Sequence, residues 1–526
     1  GDVVTTEQMQ ALFGLGLHPL AGALFADRTT GDLSLAVVEK AARLGTPFPV
    51  SDARVTAFRI EVARRVAAAS VAAGGTTRGA VDTPVLAGIR SEVAREFFQA
   101  EHGRDPSGER ELAGAVARYS RGSGNAVAGF DLTFSPVKSV SALWAIADPG
   151  IAAQVELAHN AAVAEAVRFI EKEALFTRLG AGGVRQVQVQ GVVATAFTHR
   201  DSRAGDPDLH THVAVANKVQ TLDGAWRAID GRVLYKAVVT ASEVYNTSLE
   251  KHLTARLGVR FTARDQARPD TRPVRELDGL APELLARWSR RRASIEERRA
   301  ELAARFQADH HRPPSPVEAI KLAQQATLET RDAKHEPRSL PQQRAAWARE
   351  AAEVLGGRAE IAEMIATVLR PATVAGAAVD AAWVSATAHE VIAAMEVRRA
   401  TWQIWHVKAE AVRRVREATV APEQVATVAD LVTDEALTRH SIALTRPESG
   451  LEEPAALTRG DGSSVYTVAG SQLYSSTRVL TAEQTLLRHA STVGGSRIAA
   501  DQVDLALVEA AANGLALNDG QAAMVR

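Results

Sequence analysis

The chain of 526 residues contains no cysteine. That excludes a disulfide framework, a thiol nucleophile and any zinc site built on thiolates, so a bound metal must be held by histidine and carboxylate. Tyrosine is scarce: the five are Tyr119, Tyr235, Tyr245, Tyr466 and Tyr474, with none in the first hundred residues. No glycine is followed directly by lysine, so the phosphate-binding loop GxxxxGK[ST] is missing, and with it a P-loop motor. There is no uninterrupted apolar run of the roughly 18 residues that a membrane span needs and nothing resembling a signal peptide, which predicts a cytoplasmic protein without membrane insertion. The formal net charge of −1 gives no global argument for a polyanionic partner, so any such argument must be local.

What remains is ample for several cores. The length predicts about three or four domains at roughly 150 residues each. Hydrophobic residues at 46% and charged residues at 23% are ordinary for a globular chain, while abundant alanine and only 5% aromatics lean it toward helix. The chain starts GDVVTTEQMQ without Met and stops at LNDGQAAMVR, which reads as a segment of something longer.

The most informative stretch is His199 to Asn217, HRDSRAGDPDLHTHVAVAN. His210 and His212 are two apart and run into Val213-Ala214-Val215, so on a strand both imidazoles leave one face. His199 ends another β-favouring run, Val187 to Phe197, and the residues between it and His210 include Gly205, Pro207 and three aspartates, as a hairpin loop would. A hairpin brings its ends together, so the third imidazole can close the site. Three neutral imidazoles with an open position suit Zn²⁺, Mn²⁺, Ni²⁺ or a similar divalent ion. Spacing alone leaves the reaction open.

Upstream, Phe130 to Phe134 alternates as a strand, with Asp131 and Thr133 on one face. Ser135-Pro136 then reads as N-cap and first helical residue of a helix running to about Ala147. A strand feeding a helix N-terminus makes an anion site, and Lys138 in the first turn adds a charge aimed at a phosphate. Asp131, a carboxylate inside a β run, is placed to orient an imidazole or to accept a proton.

The remaining elements frame this centre. Val4 to Leu17 predicts a short helix capped by Thr5 or Thr6, residues 51 to 70 an amphipathic helix, and Ser91 to Gln99 the opening of another. Ala152 to Leu179 predicts one long helix ended by Gly180, Gly182 and Gly183, with His159 a partly buried structural residue. Trp226 to Ile229 predicts a further strand and Val233 to Leu257 a helix. The order β, α, α, β, β, β, α describes a mixed α/β (α+β) layer with a largely antiparallel sheet. Residues 260 to 350 read as charged helices, with six arginines and two glutamates between 287 and 299, a run better explained as a solvated face than as a phosphate track. Ser315-Pro316-Val317-Glu318 reads as a capping box. Trp402 and Trp405 are expected in a core rather than as base-stacking platforms.

Three segments together carry a resemblance: DLTFSPVKSVS at 131 to 141, the histidine stretch at 199 to 217, and LAQQATLETRDAKHEPRSL at 322 to 340. They resemble the MobF conjugative relaxases of the TrwC/TraI type, in order and spacing, over at least residues 1 to about 350. The resemblance implies a palm-like, largely antiparallel sheet carrying a three-histidine metal site, with helical fingers over single-stranded DNA. It implies strand-specific nicking at a plasmid transfer origin through a 5′-phosphotyrosyl intermediate. On this sequence the metal ligands (for Mg, Mn, Zn or Ni) are His199, His210 and His212, the catalytic helper is Asp131, and the DNA-binding candidates are Ser135, Lys138, Arg203 and Lys218. Implied partners are the transfer-origin strand and relaxosome accessory and coupling proteins.

The departure is the nucleophile. The family carries paired tyrosines near its N-terminus, and the tyrosine distribution here predicts a chain that binds metal and DNA without nicking. The expected organisation is a relaxase palm over 1–260, helical fingers over 261–350, a helical connector over 351–433, a linker over 434–464, and over 465–526 the start of a RecD-like helicase domain lacking its Walker A loop. A non-catalytic metal-stabilised single-stranded DNA-binding module, or a three-histidine metallohydrolase unrelated to DNA, are the alternatives.

Overall fold

The computed structural model describes the chain except residues 1–2, 28–34, 49–52, 74–81, 121–126, 265–272, 332–335, 337, 371–375, 419, 422, 445–452, 493, 495–497, 516 and 526. The first helix is Thr6–Met9, capped by Thr5 in a capping box with Gln8, and it widens into a π-turn that ends at Gly16, whose φ of 68° suits glycine. Helices Ala53–Ala72, Thr83–His102 and Glu109–Ser120 surround a small core of their own built on Phe58, Val93, Phe98 and Tyr119. The regular elements described in the first 120 residues of the expected palm are therefore helices, and the sheet begins at Gly129.

The central layer runs β1 (Gly129–Phe134), α1 (Lys138–Ile146), α2 (Pro149–Phe169), β2 (Phe176–Leu179), β3 (Arg185–Gln190), β4 (Ala194–Asp201), β5 (Pro207–Ala216), β6 (Val219–Thr221), β7 (Trp226–Arg227) and α3 (Gly231–Leu257). Its strands form two antiparallel sheets, ordered β1-β5-β4 and β2-β3-β6-β7. The β-favouring run 187 to 197 is split between them, and Gly191, at a φ of 60°, falls in the break. The long helix expected through Leu179 stops at Phe169, passes through a π-turn to Ala174, and gives way to β2. Local composition favours helix there, but Phe176 and Thr177 are buried by pairing with β3, and tertiary pairing overrides propensity. The glycines after Leu179 turn a hairpin, with φ of 83°, 66° and 64° at Gly180, Gly182 and Gly183.

Helices α1, α2 and α3 cover the sheets through one hydrophobic core that includes Trp144, Val155, Leu209, Val213, Val215, Leu249 and Trp347. At about 25 cal/mol per Å² of apolar area, burial of this kind holds the layer together. The start of α1 differs from the expected Ser135 cap. Its N-cap is Val137, without a side-chain bond, and the first turn is closed instead by Glu276, whose Oε2 accepts from the Ser139 backbone N–H at 3.1 Å and from Ser139 Oγ at 2.6 Å. The anion that the helix dipole favours is thus a carboxylate of the protein itself.

Glu276 lies on the hairpin β8 (Phe261–Ala263) and β9 (Arg275–Leu277), which opens a stretch expected to be wholly helical. Helices α4 (Pro282–Arg287), α5 (Arg290–His310), α6 (Pro316–Glu329) and α7 (Leu340–Leu355) follow, and Ser315 and Glu318 form the expected capping box before α6. Helices Arg358–Val368, Ala381–Arg398, Ile404–Glu417 and Val425–Arg439 come next, the last three around a second core. Trp402 and Trp405 are both buried. The expected linker start at 434 falls inside helix Val425–Arg439. Part of that linker packs on β3: the buried Arg459 donates to the carbonyls of Gln186 and Thr467, and Val465, just past the linker, accepts from the Gln186 backbone N–H.

Candidate metal centre

The histidines are brought together by strand register. His199 on β4 and His210 on β5 are direct cross-strand partners, and His212, two residues on, projects from the same face. The ring centroids of His199–His210, His199–His212 and His210–His212 are 5.1, 5.1 and 5.3 Å apart. One nitrogen of each lies within 4.8 Å of the others, a separation that one ion can bridge.

Hydrogen bonds set the tautomers. His210 Nδ1 lies 2.7 Å from the Asp208 carbonyl, which can only accept, so Nδ1 carries the proton and Nε2 presents a lone pair. His212 Nδ1 lies 2.9 Å from both carboxylate oxygens of Asp131, with Thr133 Oγ1 at 3.1 Å, and its Nε2 is likewise left as the donor atom. A carboxylate or carbonyl behind a ligating imidazole fixes the ring and raises its basicity. The residues present therefore fit a divalent ion of the Zn²⁺, Mn²⁺ or Ni²⁺ kind. Mg²⁺, which prefers oxygen and retained water, fits this all-nitrogen set least well.

The face of β5 opposite the imidazoles is anchored. His159 of α2 is fully buried, its Nδ1 2.9 Å from Tyr245 Oη and its Nε2 2.8 Å from Thr211 Oγ1, and Thr211 in turn meets Thr198 at 3.0 Å. Burial, and secondarily the nearness of His210, pushes the His159 pKa down to about 4, so this imidazole is neutral near pH 7. The hairpin tip is tied down as well. Asp206 accepts from the backbone and Nε of Arg290, and Trp347 Nε1 donates to the Gly205 carbonyl at 2.9 Å. Burial raises the Asp206 pKa against the opposing pull of Arg290.

The histidines floor a cleft of about 660 Å³ whose walls include Arg203 from the hairpin turn, Arg291 from α5 and Arg331 beyond α6. Among the proposed DNA-contacting residues only Arg203 borders it. Lys138 is turned toward the start of β5, donating to the Pro207 carbonyl at 2.8 Å. Lys218 is buried, donates to the Thr46 carbonyl and lies 4.6 Å from the Phe48 ring centroid, and burial lowers its pKa. Ser135 lines a separate cavity of about 730 Å³ between β1 and α3, which also reaches Asp131. Of the cleft arginines that sequence reading did not place in the site, Arg291 sat within the arginine run read as solvated and Arg331 within the 322–340 segment that carried the resemblance.

No tyrosine borders the histidine cleft among the described residues. Tyr245 is buried against His159, Tyr119 donates to Glu101, and Tyr235 lines the apolar cavity.

The TrwC relaxase family profile matches residues 1–354. The multifunctional conjugation protein TraI of Escherichia coli is 32% identical over 178 residues, 32% of this chain and 10% of that protein. TraI of Escherichia coli strain K12 is 34% identical over 143 residues, 27% of this chain and 8% of that protein. The chain thus spans about a tenth of the length of the curated relatives it matches. Among solved structures, the metal-bound conjugative relaxase TrwC in complex with OriT DNA is 28% identical, covering 43% of this chain and 72% of that one at a TM-score of 0.36. Its copper-bound form is 25% identical, covering 52% and 94% at a TM-score of 0.35.

Proposed function

This chain belongs to the TrwC relaxase family, and from that membership we propose that it supplies the metal- and phosphate-holding part of a conjugative relaxase. Its substrate is single-stranded DNA at a plasmid transfer origin, and the overall reaction is strand-specific transesterification through a 5′-phosphotyrosyl intermediate. The observation that carries this reading is the pair of preset tautomers: Asp131 and the Asp208 carbonyl hold His212 and His210 with Nε2 directed away from their own hydrogen bonds. A divalent ion held by the three histidines supplies Lewis-acid neutralisation of charge on a scissile phosphate. Asp131, the carboxylate of β1, keeps His212 oriented and takes a hydroxyl proton. Arg203 meets the phosphate backbone at the turn.

The absence of tyrosine around the cleft favours binding without nicking by these 526 residues. The metal is one of Mn²⁺, Zn²⁺ or Ni²⁺, the protein is cytoplasmic, and its partners include relaxosome accessory and coupling proteins. Residues 465–526 lead toward a helicase-type domain. No helix among the described residues is long and apolar enough to cross a membrane.

The test is binding of a fluorescent transfer-origin single strand with and without Mn²⁺, followed by denaturing electrophoresis for a covalent adduct. Metal-strengthened, salt-sensitive binding with the strand intact is expected. A covalent adduct would overturn the non-nicking assignment, and metal-dependent cleavage of a simple ester without DNA affinity would favour a metallohydrolase.

A further inference from the structure

The arginine run at the start of α5 is not uniformly solvated. Arg290 is held by Asp206, Arg292 pairs with Glu296 at 2.8 Å, and Arg298 pairs with Glu301 at 2.6 Å and Glu329 at 2.7 Å. Arg291 differs: it borders the histidine cleft, and its Nη1 is buried with no hydrogen-bond partner among the described residues. A buried guanidinium N–H without an acceptor is costly, and the cost grows when the neighbouring floor is itself a cation site. An arriving anion relieves both. Arg331 faces the same cleft from beyond α6.

From this arrangement we infer that Arg291, assisted by Arg331, forms an oxyanion clamp opposite the histidines, gripping the phosphate group that the metal also holds. The ligand class is a tetrahedral phosphate oxyanion, and under the function proposed above, on which this assignment rests, it is a phosphodiester of the DNA strand. The planar guanidinium offers two parallel N–H donors to two non-bridging oxygens, a geometry that ammonium cannot reproduce. Arg291 therefore positions the phosphate from the helical side while the hairpin binds it from below. Because both groups grip one phosphate, their contributions are coupled.

The experiment uses the full 526-residue chain loaded with Co²⁺, titrated first with inorganic phosphate by visible absorption and then with a fluorescent single-stranded oligonucleotide by anisotropy. Wild type is compared with Arg291→Gln, Arg291→Lys and the solvent-side control Arg292→Gln, with Co²⁺ affinity measured for each. Losing one charge-assisted contact predicts phosphate binding about tenfold weaker in Arg291→Gln. Arg291→Lys should fall between that variant and wild type, Arg292→Gln should match wild type, and Co²⁺ affinity should be preserved throughout. The oligonucleotide should lose a similar factor with metal present and much less after chelation. Phosphate affinity within twofold of wild type in both Arg291 variants overturns the clamp. If wild type binds phosphate through Arg291 but no oligonucleotide, the clamp stands and the nucleic-acid reading falls. If the oligonucleotide binds and the Arg291 variants match wild type, the clamp falls and that reading stands. Should Arg291→Gln fail to fold, Arg291→Lys carries the same comparison with charge retained.

Discussion

Strand β5 has two faces with opposite duties. One carries His210 and His212, partly exposed over a polar cleft; the other carries Leu209, Thr211, Val213 and Val215, all buried. The same contrast separates two histidines near the strand. His212 is backed by the Asp131 carboxylate and offers a lone pair to the cleft, whereas His159 spends both ring nitrogens on the hydroxyls of Tyr245 and Thr211. Histidine count alone says little about chemistry; what each ring nitrogen meets decides it.

The largest expected effect falls on the cleft side. His212→Ala should weaken Co²⁺ or Zn²⁺ binding by more than about 100-fold, since an immediate ligand exceeds the 10–100-fold typical of the groups behind it, with little change in melting temperature. Calorimetric titration beside a melting curve checks both halves, and a large fall in stability would erase the distinction between the faces. On the other side, His159→Phe should cost about 2 kcal/mol of folding stability by taking the partner from the buried Tyr245 hydroxyl and leaving Thr211 with Thr198 alone, read by urea unfolding. Its metal site should stay occupied at saturating ion.

The pH dependence sharpens that second case. The folded-state pKa of His159, about 4, lies below the ordinary value of 6.5, so between those values the unfolded chain binds more protons. Stability from this group is complete above pH 6.5, declines as pH falls through the window, and changes no further below pH 4. Unfolding of metal-free wild type and His159→Gln across pH 4 to 7 should show the variant less steep by on the order of 3 kcal/mol over the window. Parallel curves would contradict a neutral buried imidazole. Asp131→Asn is expected to weaken metal binding about tenfold by loosening His212 without removing it. The smallest effect belongs to Lys138→Met, which should leave oligonucleotide affinity within about twofold because its ammonium is turned to the Pro207 carbonyl; a loss of tenfold or more would return it to the binding surface.

The hairpin was legible in the sequence because its determinants are local: alternation, a turn rich in glycine, proline and aspartate, and histidines at its ends. The helix N-terminus at 135–138 was misread because its partners are remote. Glu276 closes α1 from 137 residues away and Pro207 engages Lys138 across 69. Lys218 looked available beside the histidine stretch, but its partner Thr46 lies 172 residues upstream. Arg291 was hidden for a different reason: an arginine run looks solvated until the fold shows which members find carboxylates. Strands were lost where a helix-favouring stretch is pulled into pairing, at β2, where the β8–β9 pair opens a stretch read as helical, and where a glycine breaks one β run in two.

The bonds from Trp347 to the Gly205 carbonyl and from Arg290 to Asp206 have a mechanical meaning. They fasten the tip of the histidine hairpin to the two helices α7 and α5, the second of which also carries Arg291. Floor and wall are thereby parts of one frame, and the spacing between the imidazoles and the guanidinium is a gauge set by folding. Any anion that enters the cleft therefore meets imidazoles and a guanidinium whose separation the fold has already set.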